Sequence, residues 1–227
     1  MNLKKPFFWD FSKANYISYL LIPLTLPIII RNFLFKFTKK YKPDEIKTIC
    51  VGNIYLGGTG KTPLTIKLYE ILNNLGYKVA TVKKYYPHQK DEQILLKKKT
   101  SLIISKSRKN ALNQGIATKY DILIFDDGLQ EMHIDYDFKL VCFKSINWIG
   151  NGKLIPAGPL REDTRSLKKF DAVFLNGKFR NIHKIEKQIY DKNPKIKIFK
   201  TFYEILNVNK FDLKSKYLIS NLCIFHL

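Results

Sequence analysis

The sequence predicts an α/β fold, a mostly parallel sheet with helices on both faces, and three observations carry that reading. Short apolar segments without polar alternation recur along the chain. Segments with helical spacing separate several of them. A glycine-rich turn joins the first such strand to the first regular helix. Strands buried on both faces read as continuous apolar runs, and strand–helix alternation favours parallel pairing.

The N-terminal residues 1–42 stand apart from this pattern. Phe7, Phe8 and Trp9 precede the run YISYLLIPLTLPIII (16–30), and Arg31, Lys36, Lys39, Lys40 and Lys42 follow it. A spanning helix needs about 20 apolar residues. Pro23 and Pro27 interrupt this stretch, and Arg31 and Lys36 fall inside the window. The pattern fits an interfacial, membrane-associated helical segment, with apolar residues in the bilayer and lysines at anionic headgroups.

Residues 43–213 carry the α/β core. IKTICV (46–51) reads as the first strand. A helix to about Leu75 follows the glycine-rich turn, with Leu64, Leu68, Ile71, Leu72 and Leu75 at helical spacing and Gly76 as its stop. YKVATV (77–82) and SLIIS (101–105) read as strands, and residues 107–114 as a helix. YDILIF (120–125), LVCF (140–143), AVFL (172–175) and residues 196–202 complete the strands. Residues 214–227 read as an aberrant tail.

Composition narrows the partners. The 227 residues carry 40 Lys and Arg against 19 Asp and Glu, a formal net charge of +21. Such a charge favours an anionic partner. No helix-turn-helix, RNA-binding aromatic signature or zinc module accompanies it, so nucleic acid is not the expected partner. Cys50, Cys142 and Cys223 are far apart and show no metal-ligand spacing.

The chemistry centres on VGNIYLGGTGKT (51–62), between the first strand and the first helix. Glycines let backbone N–H groups converge on an anion, and the helix N-terminus adds partial positive charge. Gly57, Gly58, Thr59, Gly60, Lys61 and Thr62 are the candidate nucleotide-binding residues. Lys61 reaches the outer phosphates and the Thr62 hydroxyl suits Mg²⁺. The usual G-x-x-x-x-G-K-S/T pattern opens on glycine, but Tyr55 stands at that place here. The predicted fold is thus P-loop NTPase-like.

Two acidic pairs complement the loop. Asp126-Asp127 follows the strand 120–125, where a carboxylate can reach the metal. Asp91-Glu92 follows the second strand, and a solvated loop explains it as well as a site does.

Taken together, these residues resemble the tetraacyldisaccharide 4'-kinase family of lipid A synthesis. VGNIYLGGTGKTP (51–63) resembles its variant P-loop, FDDGLQ (125–130) its DDG-x-Q motif, and GNGKLIPAGPLRED (150–163) a long signature of that family. Asp91-Glu92 with Leu95 and Leu96 resembles its G-D-E-x-x-L-L segment. The resemblance implies transfer of the γ-phosphoryl of ATP to the 4'-hydroxyl of an acylated glucosamine disaccharide 1-phosphate, at the cytoplasmic face of the bacterial inner membrane. It implies ATP and Mg²⁺ as cofactors. Asp91, Lys61 and Asp127 would be catalytic, and Thr62, Glu92, Asp126 and Asp127 would serve the metal. Gln130 and Arg161 would contact the lipid A precursor, as a monomer working on an anionic membrane surface.

The sequence departs from the family at Val82–His88, which lacks the glycines of an S-R-G-Y-G-like segment, at Lys90, and at Glu131. The family's second domain, with a His partnering the catalytic Asp, is expected to begin where 214–227 shows no family signature. The accompanying expectation is retained Mg-ATP binding with very low turnover, or an inactive ATP-binding remnant. A ParA/MinD-like ATPase is the other alternative, opposed by Leu56 where that group carries its signature Lys.

Overall fold

The computed structural model describes residues 5–87, 89–177 and 182–201. Residues 214–227, with Cys223, lie outside them, as does Phe202 at the end of the last predicted strand.

Seven strands form one sheet: β1 (Lys47–Gly52), β2 (Val79–Lys84), β3 (Leu102–Ser105), β4 (Ile122–Asp126), β5 (Phe138–Lys144), β6 (Ala172–Asn176) and β7 (Lys197–Thr201). Their order is β3-β2-β4-β1-β5-β6-β7. Every pairing among them is parallel. The chain passes from β4 to β5 across β1, so the strand order switches there. Ligands of open parallel sheets bind beyond the carboxyl ends of the strands at such a point.

Both faces of the sheet are covered, and the strands show it residue by residue. Ile122 and Ile124 of β4 pack with Leu64 of helix α3 (Lys61–Asn74), and Leu68 and Leu72 lie against the same cluster. Leu123 and Phe125 point the other way, toward Ala111 and Leu112 of α5 (Arg108–Ala117). Gly115 of α5 is required by this contact, because a Cβ there would lie 2.5 Å from a Leu123 methyl. Val141 and Phe143 of β5 meet Ile185 and Ile189 of α6 (Ile182–Tyr190).

The structure adjusts several predicted bounds. Gly76 at φ +90° ends α3, its N–H bonded to Asn73 O and the Tyr77 N–H to Leu72 O. This Schellman closure uses Tyr77 and Lys78 as connector, so β2 begins at Val79 rather than Tyr77. Residues 90–99 form a helix, α4 (Lys90–Lys99), where the sequence suggested a connection. Its first turn holds Asp91 and Glu92 and its last holds three lysines, the charge order a helix dipole favours.

The N-terminal region is a broken helical layer. It comprises a 3-10 turn (Phe7–Asp10), α1 (Tyr16–Leu20), a second 3-10 turn (Ile22–Thr25) and α2 (Leu26–Leu34). Asn15 caps α1 by accepting the Ser18 N–H. Pro23 and Pro27 sit in the first turns of their helices, where the missing N–H costs nothing. Phe8 and Trp9 are buried, not presented outward. The Trp9 indole donates to Pro156 O at 2.9 Å, and Asn151 donates to Ser18 Oγ and Ala157 O. By contrast, Leu24, Leu26, Phe33, Leu34 and Phe37 are exposed. Among the described residues, no helix is long and apolar enough to cross a membrane.

Candidate active site

The loop after β1 lies at the switch point. Gly57 (φ +143°) and Gly60 (φ +89°) adopt backbone conformations that side chains resist, and α3 starts directly after Gly60. Asn53 is fully buried and ties the turn from inside by donating to Gly57 O at 3.0 Å. The segment 153–161 braces the loop from outside. Leu56 N–H bonds Pro159 O, Arg161 N–H bonds Ile54 O at 2.7 Å, and Tyr55 bridges Leu160. Part of the 150–163 signature is therefore a support for the phosphate loop.

Tyr55, which replaces the usual glycine, turns into the core beside Ile54 and Leu160. Its phenol bonds Asp10 and receives Lys5. Burial and the Asp10 carboxylate push that phenol above its ordinary range.

The residues expected in the site converge there, with one exception. Lys61 Nζ lies 4.0 Å from Asp127 Oδ1. The Thr62 hydroxyl donates to Asp126 Oδ2 at 3.4 Å. Asp126 ends β4 opposite Val51 and is buried, and its Oδ1 has no hydrogen-bond partner. Asp127 follows at φ +60°, its N–H anchored to Val51 O. Gly128 is needed next, since a Cβ there would meet the Tyr136 hydroxyl at 2.7 Å and Cys50 Sγ at 2.9 Å. Arg161 reaches Asp127 Oδ1 at 3.1 Å and Gln130 Oε1 at 3.2 Å, while Gln130 donates to Glu162. Asp91 is the exception. It is exposed on α4, and no hydrogen bond or ion pair of its side chain is found among the described residues.

The two adjacent aspartates are electrostatically opposite. Burial pushes the Asp126 carboxyl up, and Lys83 and Lys61 do not cancel the rise. Burial acts on Asp127 as well, but Lys61, Arg161, Lys83 and Arg108 outweigh it and hold that carboxyl below its usual range.

Sequence reasoning missed two cations. Lys83, near the end of β2, donates to Asp126 Oδ2 at 2.6 Å and to Glu92. Arg108 at the start of α5 is buried and donates to Asp127 O and Glu131. A lysine ending an apolar strand and an arginine opening a helix look like ordinary solvated ends; only the strand order shows that they meet the aspartates.

Arg31, Lys84, Lys106, Arg108 and Arg161 line a cleft of about 650 Å³ beside Asp127 and Gln130. Ile28 and Arg31 place α2 in its wall. Such a cation-rich concavity suits an anionic ligand. Among the described residues there is no group of three or more His, Cys, Asp or Glu side chains able to hold a metal. Mg²⁺ with a nucleotide needs only one or two carboxylates, with phosphate and water completing its shell. The Thr62 hydroxyl and the unpartnered Asp126 Oδ1 fit that need. Cys50 and Cys142 are buried and free. Burial pushes the Cys142 thiol up to about 12, which leaves it no nucleophilic role at neutral pH.

Comparison with known proteins shows the family and the fold. The model of the family described as tetraacyldisaccharide-1-P 4'-kinase matches residues 18–91 and 90–219. A tetraacyldisaccharide 4'-kinase of Pelagibacter ubique (strain HTCC1062) is 46% identical over 219 residues, covering 96% of this chain and 69% of that protein. The enzyme of the same name from Rickettsia canadensis (strain McKiel) is 36% identical, covering 80% of this chain and 62% of its own length. That of Histophilus somni (strain 2336) is 33% identical, covering 76% and 60%. The chain thus spans 60–69% of the length of these relatives. The crystal structure of LpxK from Aquifex aeolicus in complex with ATP superposes with a TM-score of 0.65 at 22% identity, covering 83% of this chain and 66% of that one. At that identity the likeness speaks for the fold.

Proposed function

The chain belongs to the tetraacyldisaccharide-1-P 4'-kinase family, and from that premise we propose that it binds ATP at Gly57–Thr62 and transfers the γ-phosphoryl to the 4'-hydroxyl of a tetraacylated glucosamine disaccharide 1-phosphate, a lipid A precursor. One juxtaposition carries the reading. Asp127 lines the cation-rich cleft and is contacted both by Lys61 of the phosphate loop and by Arg161 of the cleft.

The roles follow from position. The backbone N–H groups of residues 57–62 and the Lys61 ammonium bind and orient the phosphates. Thr62 and Asp126, with Glu92 beside them, would hold Mg²⁺, which when bound neutralises phosphate oxygens during transfer. Arg161 offers a planar fork for an anionic substrate group, and Gln130 fixes that fork in place. Asp91, which stands apart from this cluster, takes the proton of the attacking sugar hydroxyl on family resemblance and not on position. Phosphoryl transfer of this kind depends on positioning and charge neutralisation.

The exposed apolar side chains of α1 and α2 support a second part of the reading. An acylated substrate stays in its bilayer, and α2 forms one wall of the cationic cleft. The protein docks this layer on the anionic cytoplasmic surface of the inner membrane, with Lys36, Lys39 and Lys40 at the headgroups.

The test is transfer of radiolabelled γ-phosphate to the acylated disaccharide 1-phosphate in mixed micelles. Label is expected on the lipid, and Lys61→Ala is expected to lower the rate about a hundred- to thousandfold. ATP bound and hydrolysed with no label on lipid would sink the kinase reading.

A further inference from the structure

Lys83 is among the largest fully buried side chains of the described residues, at 1% exposure. Parallel pairing of β2 with β4 sets it in register with Asp126. Its ammonium donates to Asp126 Oδ2 at 2.6 Å and reaches Glu92 Oε2 from the other side. The same Asp126 oxygen receives the Thr62 hydroxyl. A fixed positive charge therefore already lies between the two carboxylates and next to the hydroxyl that would hold a metal.

An ammonium is buried at this depth only with strong compensation, and two carboxylates supply it. A divalent cation brought to the same carboxylate meets the lysine at close range in a poorly screened site. Asp126 Oδ1, buried and without a hydrogen-bond partner, is the acceptor left over. One carboxylate oxygen is thus committed to a cation of the chain itself and the other is free.

We propose that Lys83 is a tethered cation that holds the charge-neutralising position between Asp126 and Glu92, so that a divalent ion reaches Asp126 only in competition with it. The inference rests on the reading of Thr62 and Asp126 as the metal-holding pair. Metal occupancy is then set largely by nucleotide phosphates arriving with the ion, and the resting site is kept neutral by the protein. The lysine is a positioning residue: it fixes the Asp126 and Glu92 carboxylates and touches no reacting atom.

The test is Mn²⁺ binding to the nucleotide-free protein, followed by the electron paramagnetic resonance signal of free Mn²⁺. Lys83→Met removes the charge at similar length and is expected to raise Mn²⁺ affinity about tenfold or more. Unchanged or weaker binding by a folded Lys83→Met overturns the proposal. Should that variant fail to fold, the wild-type titration decides: binding no tighter than about millimolar is expected, and micromolar binding overturns the proposal. A fluorescent ATP analogue titrated in parallel keeps the two readings separate. Loss of nucleotide binding alongside an intact Lys83 effect removes the kinase proposal and leaves this one standing.

Discussion

β4 and α2 are both apolar runs that end near charge, and they are treated oppositely. Every residue of β4 is buried, and none of α2 is. β4 lies between β1 and β2 with helices on both faces, so each of its side chains finds a protein neighbour. α2 touches the body through few points, such as the Asn32 amide on Arg161 O at 3.0 Å, and leaves Leu26, Ile29, Ile30, Phe33 and Leu34 exposed. Apolar composition therefore does not choose the place of a segment; the number of faces its neighbours cover does. The apolar stripe left open on α2 supports the proposed contact outside the chain.

Three experiments break or sharpen that contrast. Leu123→Ala in β4 empties a fully buried place between the sheet and α5, and is expected to cost about 3 kcal/mol in chemical denaturation. A loss under about 1 kcal/mol would mean that this face is loosely packed.

Asp137→Asn probes a polar stitch between β1, the strand beside β4, and the residue before β5. The Asp137 carboxylate accepts the Thr48 N–H and hydroxyl, both at 2.9 Å, and Lys42 and Lys47 stand near it. Burial raises its pKa, but the Thr48 bonds and the lysines overcome this and hold it below the ordinary carboxylate value. A lowered acid pKa gives stability that is present above the unfolded value and lost as pH falls through the folded one. The variant is expected to be about 1 kcal/mol less stable near neutral pH, with the difference closing at more acid pH below 3.8. A gap constant with pH would show that the carboxylate charge is not what matters.

The smallest expected effect is at Phe33. Phe33→Ser on α2 should shift stability by less than about 0.5 kcal/mol. It should nevertheless reduce flotation with anionic phospholipid vesicles, an effect deepened by adding Phe37→Ser. A large stability loss without any change in flotation would assign α2 to the core after all.

Much of this was legible in the residues. The strands announced themselves because burial on both faces makes their apolar runs continuous, and Gly57–Thr62 because a turn that grips phosphate tolerates few alternatives. α6 was readable and was missed: Ile182, Ile185 and Ile189 have helical spacing, but short charged intervals between them hid it. α4 is harder, since only Gln93 and Leu96 of its ten residues are buried and its helix rests on charge order more than on an apolar face. Lys83 and Arg108 could not be placed at all, because the adjacency of β2 and β4 brings the first to Asp126 and the packing of α5 brings the second to Asp127 O and Glu131, and both are properties of the assembled fold. Asp91 shows the converse: motif resemblance selected it, yet its side chain stands exposed and unengaged on α4.

Arg161 joins distant parts of the molecule through one residue. Its amide supports the start of the phosphate turn, its carbonyl carries the N-terminal helix, and its guanidinium faces the twin aspartates' outer member. The N-terminal helix and the turn after β1 are thus joined through one residue, without a path through the hydrophobic interior. Under the proposed docking of α2 on a membrane, this residue is a polar route from the exposed apolar layer to the aspartate pair.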